Sequence, residues 1–338
     1  MNLKKRNAAP HEYSVPVNPD ALLQIRDLSV EYRASGAVAK AVNNLNLTVM
    51  PGEALGIVGE SGAGKTTTAL SIMQLLPDKV GKITSGEILF HGQSMEAKTE
   101  KELNGIRGKD ISMVFANPLT SLNPVFPVGH QIAMSLAAHE KITKKEAEQR
   151  AGDLLETVGI ARYRLNDYPH QFSGGMRQRV GIAAALASNP ELLIADEPTT
   201  ALDVTIQAQI LELMKELQTK YSTSLIMITH NLGIIAELCQ KVAVMYGGEI
   251  VEYGSVREVF TNPKHWYTHG LIHAIPKLSG PRERLESIPG LVANAQKLPA
   301  GCKFHPRCSH CTAKCGVEIP HMRQINADHF VACWDMEA

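Results

Sequence analysis

The clearest chemical signal in this chain is a glycine-rich stretch, residues 59–66, that fits the pattern G-x-x-x-x-G-K-[ST]. Glycines let successive backbone N–H groups curl around phosphate oxygens, the lysine neutralises the β- and γ-phosphates, and the last hydroxyl ligates magnesium. The stretch lies between a predicted buried strand, 54–58, and a predicted helix, 67–76, whose positive N-terminal end favours phosphate. The sequence predicts an ATP site with magnesium, made by Gly59, Glu60, Ser61, Gly62, Ala63, Gly64, Lys65, Thr66 and Thr67.

A second motif is an apolar strand, 192–195, that ends in Asp196 and Glu197. Next to a phosphate loop, Asp196 is expected to complete the magnesium shell with Thr66, and Glu197 to polarise the attacking water as general base. Alone, such a pair would more often cap a helix or form surface ion pairs. The phosphate loop in the same chain favours the catalytic interpretation.

A third motif is Ser173-Gly174-Gly175, followed by Met176 and a predicted helix that continues to residue 187. A serine before two glycines is typical of a helix N-cap, and the N-terminus of a helix attracts anions. The chain therefore has two candidate phosphate-binding helix ends.

Around these motifs the chain alternates between short apolar strands and helical segments, and continuous apolar strands are typical of a parallel sheet buried on both faces. Residues 1–20 are polar and contain three prolines, which indicates a tail. The region from about 121 to 186 is mainly helical in pattern. The predicted strands are 22–25, 28–32, 45–49, 54–58, 86–91, 192–195, 224–229, 242–246 and 249–253, and the predicted helices include 144–158 and 204–221.

From about residue 261 the composition changes, because prolines become frequent and five of the six cysteines lie between Cys302 and Cys333. In a reducing compartment, clustered cysteines indicate a metal site rather than a disulfide framework. This region is therefore predicted to be a separate C-terminal module.

The overall composition excludes some classes of function. Lys plus Arg and Asp plus Glu each number 34, so the basic excess expected of a nucleic-acid-binding protein is missing. No apolar run approaches the roughly 18 residues that a membrane helix needs. The N-terminus does not have the pattern of a signal peptide. These features predict a cytosolic protein.

Taken together, the motifs at 59–66, Ser173–Gly175, Asp196-Glu197, 201–203 and His230 resemble ABC-type ATPase subunits in order and spacing, from about residue 22 to 253. The resemblance implies an α/β P-loop NTPase fold: an ABC-type RecA-like core with an antiparallel β-subdomain and a helical subdomain at about 118–188. In that family, the Ser-Gly-Gly helix of one subunit closes over the γ-phosphate held by another subunit. The residues offered to the partner's ATP would be Ser173, Gly174, Gly175 and Met176.

The resemblance implies three further roles. Tyr32 matches the aromatic residue that stacks on adenine, although a half-buried strand tyrosine is an alternative. His230 matches the switch histidine that contacts the γ-phosphate, and Asp203 is placed at the subunit interface.

One position departs from the family pattern. The segment 111–124 resembles the loop that links the nucleotide site to the membrane subunits, but Ala116 stands where the family has glutamine. A methyl group neither ligates magnesium nor positions water. This predicts a site that binds ATP but hydrolyses it slowly or couples it poorly. Asn231 after His230, in place of the commoner aspartate, is a milder difference.

The C-terminal region, with Asn262-Pro263, Tyr267-Thr268 and the spacing C-x5-C-x6-C-x17-C, resembles the tail of peptide and nickel importer ATPases. Residues 288–290 and the loop 76–85 favour the longer-tailed member of the usual two-ATPase pair. Members of this family can hold a [4Fe–4S] cluster on four such cysteines, here Cys302, Cys308, Cys315 and Cys333. Four thiolates suit zinc as well, and Cys311 forms a C-x2-C pair with Cys308 that zinc sites also use.

The resemblance therefore implies the ATP-hydrolysing motor of an ABC importer for di- or oligopeptides, lying on the cytoplasmic face of the membrane. Its expected partners are a homologous ATPase subunit, two transmembrane permeases and an extracytoplasmic substrate-binding protein, and no nucleic acid. The expected boundaries are a tail (1–20), an ATPase domain (21–260) and a C-terminal extension (261–338). Three alternatives remain: a catalytically weakened regulatory subunit, an importer of nickel or another small solute, and a soluble ABC ATPase acting on ribosomes or DNA.

Overall fold

The computed structural model describes residues 19–117, 121–200, 202–275 and 287–335. The predicted polar tail lies almost wholly outside these ranges. Part of the segment 111–124, namely 118–120, and Ala201 also lie outside them.

Strands and helices alternate along most of the chain. The strands are β1 (Leu23–Ala34), β2 (Ala37–Val49), β3 (Ala54–Val58), β4 (Gly81–Phe90), β5 (Gln93–Ser94), β6 (Ile111–Val114), β7 (Leu192–Asp196), β8 (Ser224–Thr229), β9 (Lys241–Tyr246), β10 (Glu249–Ser255), β11 (Arg323–Asn326) and β12 (His329–Val331). The helices are α1 (Lys65–Ile72), α2 (Glu100–Ile106), α3 (Val128–Ala137), α4 (Lys144–Thr157), α5 (Gly174–Ala185), α6 (Val204–Tyr221), α7 (Leu232–Leu238), α8 (Val256–Thr261) and α9 (Trp266–His273).

The first four-stranded sheet is antiparallel, in the order β2-β1-β4-β5. Its strand β1 was expected as two pieces, but it is one strand with a register shift between Ile25 and Leu28. Asp27 adopts a left-handed conformation there, with φ 47°, and its N–H donates to the side chain of Asn46 at 3.0 Å. The break in the apolar pattern is therefore a β-bulge, which changes the register without ending the strand.

The second sheet has eight strands, in the order β11-β12-β10-β9-β3-β8-β7-β6. Strands β6, β7, β8, β3 and β9 are parallel neighbours, as the continuous apolar runs predict. The predicted strands 242–246 and 249–253 form a hairpin: β9 and β10 pair antiparallel across Gly247 and Gly248, which both have positive φ. Strand β12 pairs with β10, so residues beyond 261 extend the same sheet.

Two apolar cores lie on opposite faces of this second sheet, because successive side chains of a strand point to opposite sides. On β7, Ile194 packs toward the antiparallel sheet, whereas Leu193 and Ala195 pack toward the helices. A parallel sheet needs an apolar core on each face to be buried. Because β7 and β8 run parallel, the polar residues at their carboxyl ends lie at the same edge of the sheet.

Helix ends follow their capping residues. Helix α6 has the predicted limits, and Thr143 caps α4 by accepting the N–H of Glu146 at 3.2 Å. Helix α1 begins at Lys65 and ends at Ile72, shorter at its C-terminus than predicted, since Gln74 adopts a left-handed φ of 51°. None of the helices in the described ranges combines the length and apolar composition that a membrane span requires.

Candidate nucleotide-binding site

The glycine-rich loop joins the end of β3 to the start of α1, and its glycines are needed for close backbone packing. Gly59 and Gly64 have φ of 153° and 105°, a region that residues with a Cβ rarely adopt. A Cβ on Gly64 would lie 2.5 Å from the Ala41 carbonyl oxygen, and one on Gly59 would collide with the carbonyl of Met245. The loop conformation thus depends on these glycines.

The loop opens into a cavity of about 470 Å³. The cavity collects residues from the loop, from both sheets and from the C-terminal region, so most of the residues predicted for ATP, magnesium and catalysis lie together. Its lining residues are Tyr32, Ala39, Ala41, Ser61, Gly62, Ala63, Gly64, Lys65, Thr66, Thr67, Ala116, Asp196, Glu197, His230 and Ala295.

Lys65 is buried at the base of this cavity, with its ammonium group turned to the loop itself. Its Nζ donates to the carbonyl oxygens of Gly59, at 2.7 Å, and Glu60, at 3.1 Å. Burial lowers the pKa of Lys65, and the nearby carboxylates of Glu197, Asp196 and Glu60 oppose that shift. The lysine side chain is held where an incoming phosphate would meet a cation.

Asp196 lies at the end of β7, beside the first turn of α1. The hydroxyl of Thr66 donates to Asp196 Oδ1 at 3.2 Å. Burial raises the pKa of Asp196, while the hydrogen bond from Thr66 lowers it. A hydroxyl and a carboxylate in contact form the kind of oxygen pair that magnesium prefers.

Glu197 follows at once and has an unusual backbone, with φ 48°, held by its N–H donating to the Ile228 carbonyl at 2.9 Å. Its Oε2 accepts the Thr200 hydroxyl at 2.6 Å and lies 2.9 Å from Nδ1 of His230. Burial raises the pKa of Glu197, but the hydrogen bonds from Thr200 and His230 and the charges of His230 and Lys65 outweigh it, so the net shift is downward. The side chain is a carboxylate at neutral pH, as a general base requires.

Tyr32, on β1, and Ala116, which follows β6, both line the cavity. The Tyr32 hydroxyl donates to Thr67 Oγ1 at 3.3 Å, which ties the antiparallel sheet to α1. Ala116 follows β6 and adds only a methyl group to the lining.

The Ser-Gly-Gly motif forms the N-terminus of α5, where Ser173 Oγ accepts the N–H of Met176 at 3.3 Å. Among the described lining residues of the cavity, none belongs to this motif. Gly175 packs against Ile206, and Asp203 Oδ1 caps α6 by accepting the Ile206 N–H at 2.9 Å. Within one chain, therefore, the two helix ends predicted to bind phosphate are apart.

The structure adds contacts to this site that the sequence patterns did not reveal. The N–H of Glu60 donates to the Tyr267 hydroxyl at 2.8 Å, and Arg307 forms an ion pair with the Glu60 carboxylate. The carbonyl of Ala295 accepts the N–H of Lys40 at 2.8 Å, which places Ala295 on the cavity wall. All three come from beyond residue 261, and no local sequence pattern indicates that they contact the loop or the cavity.

The four cysteines predicted to bind a metal line one narrow cavity, together with Trp266, His305 and other side chains. The four are Cys302, Cys308, Cys315 and Cys333. Burial raises the pKa of Cys302 to about 11 and that of Cys333 to about 12. Cys311 is exposed and donates to the Thr312 carbonyl at 3.4 Å.

Across the described part of the chain, no three His, Cys, Asp or Glu side chains are arranged as the ligands of a metal ion. The cysteines share a cavity, but the thiol of Cys333 donates to the Asp335 carbonyl at 2.7 Å instead. The predicted iron–sulfur or zinc site is not confirmed.

Comparison with known proteins agrees with this geometry. Residues 42–200 match the family model described as ABC transporter, and residues 251–315 match the oligopeptide/dipeptide transporter C-terminal region. The chain is 50% identical over 316 residues to the oligopeptide transport ATP-binding protein OppD of Bacillus subtilis, with 93% of this chain and 88% of that protein covered.

Two further relatives extend the comparison. OppD of Salmonella typhimurium is 46% identical over 321 residues, with 94% of this chain and 95% of that protein covered. A dimeric post-hydrolysis structure of the ATP-binding cassette MJ0796, bound to ADP and Pi, is 28% identical with a TM-score of 0.63, and the match covers 70% of this chain and 99% of that one. The chain therefore belongs to the ATP-binding proteins of ABC transporters, and it carries the C-terminal region of the oligopeptide/dipeptide transporters.

Proposed function

We propose that this chain is the ATP-hydrolysing subunit of an ABC importer for di- or oligopeptides. One observation carries the proposal: the phosphate loop, Asp196, Glu197 and His230 line a single cavity. The chain that builds this cavity also matches the oligopeptide/dipeptide transporter C-terminal region. Relatives named as oligopeptide transport ATP-binding proteins support the peptide as cargo.

In the proposed mechanism, the N–H groups of residues 59–66 and the ammonium of Lys65 hold the ATP phosphates. Thr66 and Asp196 would hold a magnesium ion, which would neutralise charge on the phosphates. Glu197, ionised at neutral pH, takes a proton from the attacking water. His230 orients that carboxylate through its 2.9 Å contact with Oε2, and Tyr32 stacks on the adenine ring.

Catalysis on this proposal needs a second ATPase subunit. The motif of Ser173, Gly174, Gly175 and Met176 lies outside its own chain's cavity, so it would close over ATP held by a homologous partner, with Asp203 at the interface. The dimeric solved structure of MJ0796 supports such an arrangement. The proposed partners are a homologous ATPase subunit in a heterodimer, two permeases and an extracytoplasmic binding protein. The proposed location is peripheral, on the cytoplasmic face of the membrane.

The proposed division of the chain is an ATPase domain at 21–260, with its helical subdomain at about 118–188, and an extension at 261–338. The extension is proposed to hold a [4Fe–4S] cluster, with zinc as the alternative, because four cysteines line one cavity and Cys311 does not. Four sulfur ligands suit either group. Iron with labile sulfide in anaerobically purified protein would support the cluster, whereas colourless protein with one zinc would contradict it.

Ala116 favours a second candidate, a subunit that binds ATP well and hydrolyses it slowly, because this methyl group lies on the cavity wall. The intact contact between Glu197 and His230 favours retained hydrolysis. The ligand carried by the binding protein distinguishes import of peptides from import of nickel or another small solute by the same motor.

The test is purification of the complete transporter with its binding protein, identification of the bound ligand, and measurement of ATP hydrolysis in membranes. We expect copurified permeases, a di- or oligopeptide ligand, and ATPase activity stimulated by the loaded binding protein. A nickel ligand would replace the peptide proposal. Copurification with ribosomes or DNA and no permease would overturn the importer.

A further inference from the structure

Glu60, the second residue of the phosphate loop, is held at three points. Its N–H donates to the buried hydroxyl of Tyr267 at 2.8 Å, and its carbonyl oxygen accepts Lys65 Nζ at 3.1 Å. Its carboxylate accepts two N–H groups of Arg307, at 2.5 Å and 3.1 Å. Two of the three contacts come from the C-terminal extension, so the loop that faces the phosphates is anchored by residues more than 200 positions away.

The side chain of Arg307 is buried and is held in position for its contact with Glu60. Its side chain is 4% exposed, whereas that of Glu60 is 28% exposed. Its Nε donates to the Pro289 carbonyl at 2.8 Å, and the guanidinium lies 5.7 Å from the ring centroid of Tyr246. A planar guanidinium that makes two parallel bonds to one carboxylate is a strong and directional contact. Because the Nε contact with Pro289 fixes the guanidinium of Arg307, the guanidinium in turn fixes the position of the Glu60 carboxylate.

The charge of the Glu60 carboxylate affects nucleotide binding because Glu60 belongs to the phosphate loop. A carboxylate on a phosphate loop repels the several negative charges of a nucleotide, and a cation in direct contact with it cancels that repulsion. The position of the Glu60 peptide also affects Lys65, since that carbonyl is one of the two that hold the lysine ammonium. Loss of Arg307 would therefore expose a negative charge and release one anchor of the loop.

We propose that Arg307 is a positioning residue for nucleotide binding, which neutralises and orients Glu60 in the phosphate loop. The inference rests on the proposed function of this loop as the ATP site. It makes the affinity for ATP depend on the C-terminal extension. Arg307 lies in the single helical turn His305–Arg307, between the cavity-lining Cys302 and Cys308, so the fold of the cysteine region sets its position.

The test compares four proteins within the assembled transporter: wild type, Arg307→Met, the double variant Arg307→Met/Glu60→Gln, and Lys314→Met. Lys314 is the matched control, a cation of the same extension that lies over Trp334 and forms an ion pair with Glu318. The measurements are the Kd of a fluorescent ATP analogue at several salt concentrations, and kcat and KM for ATP.

For Arg307→Met we expect Kd and KM to rise about tenfold, equivalent to ~1.4 kcal/mol, with kcat within about twofold of wild type. The rise should shrink at high salt, because the exposed charge is then screened. The double variant should regain most of the affinity, since the unpaired carboxylate has been removed. Lys314→Met should leave Kd unchanged.

A purely structural role for Arg307 predicts a different pattern. The double variant would then bind ATP no better than Arg307→Met, and this result would overturn the inference. If Arg307→Met does not fold, Arg307→Lys, which keeps the charge and loses the paired geometry, should bind ATP with intermediate affinity, and wild-type affinity in that variant would also overturn it. Failure of wild-type protein to bind the analogue would instead contradict the ATP site itself.

Discussion

The imidazole Nδ1 of His230 lies 2.9 Å from Oε2 of Glu197, and the same oxygen accepts the Thr200 hydroxyl at 2.6 Å. These contacts come from the ends of two adjacent parallel strands, β7 and β8. Together they hold the carboxylate in one orientation and stabilise its ionised form against burial. Glu197 is the residue whose protonation we expect to control hydrolysis.

Replacement Glu197→Gln should abolish ATP hydrolysis and leave ATP binding within a few-fold of wild type. The amide keeps the shape of the side chain but does not accept a proton from water, and losing general-base catalysis lowers the rate typically by 10²–10⁴-fold. Single-turnover hydrolysis and equilibrium binding of ATP, measured on the same preparation, separate the two effects. Hydrolysis above a tenth of the wild-type rate would assign the base to another group.

The pH dependence of hydrolysis should respond to Thr200. Because the hydrogen bond from this hydroxyl helps to lower the pKa of Glu197, Thr200→Val should raise that pKa. The base is active only when deprotonated, so the acid limb of the kcat profile should shift to higher pH. Thr219→Val, which removes an exposed hydroxyl bonded to a helix carbonyl, is the control and should leave the profile unchanged. An unshifted acid limb in Thr200→Val would show that Glu197 does not set it.

The central motifs were predictable because each is a short run whose conformation is fixed locally. The loop at 59–66 needs glycines at positive φ, and Asp196-Glu197 follows a strand buried on both faces. Ser173 likewise caps its own helix. Sequence patterns of this length determine both the element and the side chains at its end.

The contacts of Glu60 with Tyr267 and Arg307 were not predictable, because they join residues 207 and 247 positions apart. Strand β12 pairs with β10, so the extension lies against the ATPase sheet. The proline-rich composition indicated a separate module and gave no sign of this pairing. Neither a tyrosine nor an arginine in such a segment is distinctive by itself.

Restoring the family residue by Ala116→Gln should raise turnover coupled to transport. The cavity has a methyl group at this position, and an amide there would add groups that ligate magnesium or orient water. ATP hydrolysis and peptide uptake should be measured together in proteoliposomes of the complete transporter. Unchanged hydrolysis and uptake would show that Ala116 does not limit this site.

Two neighbouring glycines of α5 should respond differently to alanine. A Cβ on Gly175 would collide with Ile206, whereas one on Gly174 would lie 3.6 Å from Leu202, an ordinary contact distance. Overpacking of this kind typically costs about 1–3 kcal/mol, partly offset by the better helix propensity of alanine. Thermal unfolding of the isolated chain should therefore show a lower Tm for Gly175→Ala than for Gly174→Ala. Equal Tm values would mean that Ile206 moves aside freely.

Glu249 should make the stability of the chain depend on pH near neutrality. This side chain is 23% exposed, with Lys303 Nζ 3.9 Å away, and burial raises its pKa from 4.5 to about 7 against the opposing charge of Lys303. Between pH 4.5 and 7 the folded state holds a proton that the unfolded state releases, so the free energy of unfolding should fall as pH rises through this window. Below pH 4.5 the carboxyl is protonated in both states and contributes no slope. The total effect is at most about 3 kcal/mol.

Glu249→Gln removes this titration, so the variant should lose less stability than wild type between pH 5 and pH 8. Chemical denaturation at both pH values measures the difference, with Glu87→Gln as the control because Glu87 forms an exposed ion pair with Arg26. The control should keep the wild-type slope, since an exposed pair of this kind contributes little to stability. If wild type and Glu249→Gln lose the same stability over this range, Glu249 has an ordinary pKa and the slope belongs to other groups.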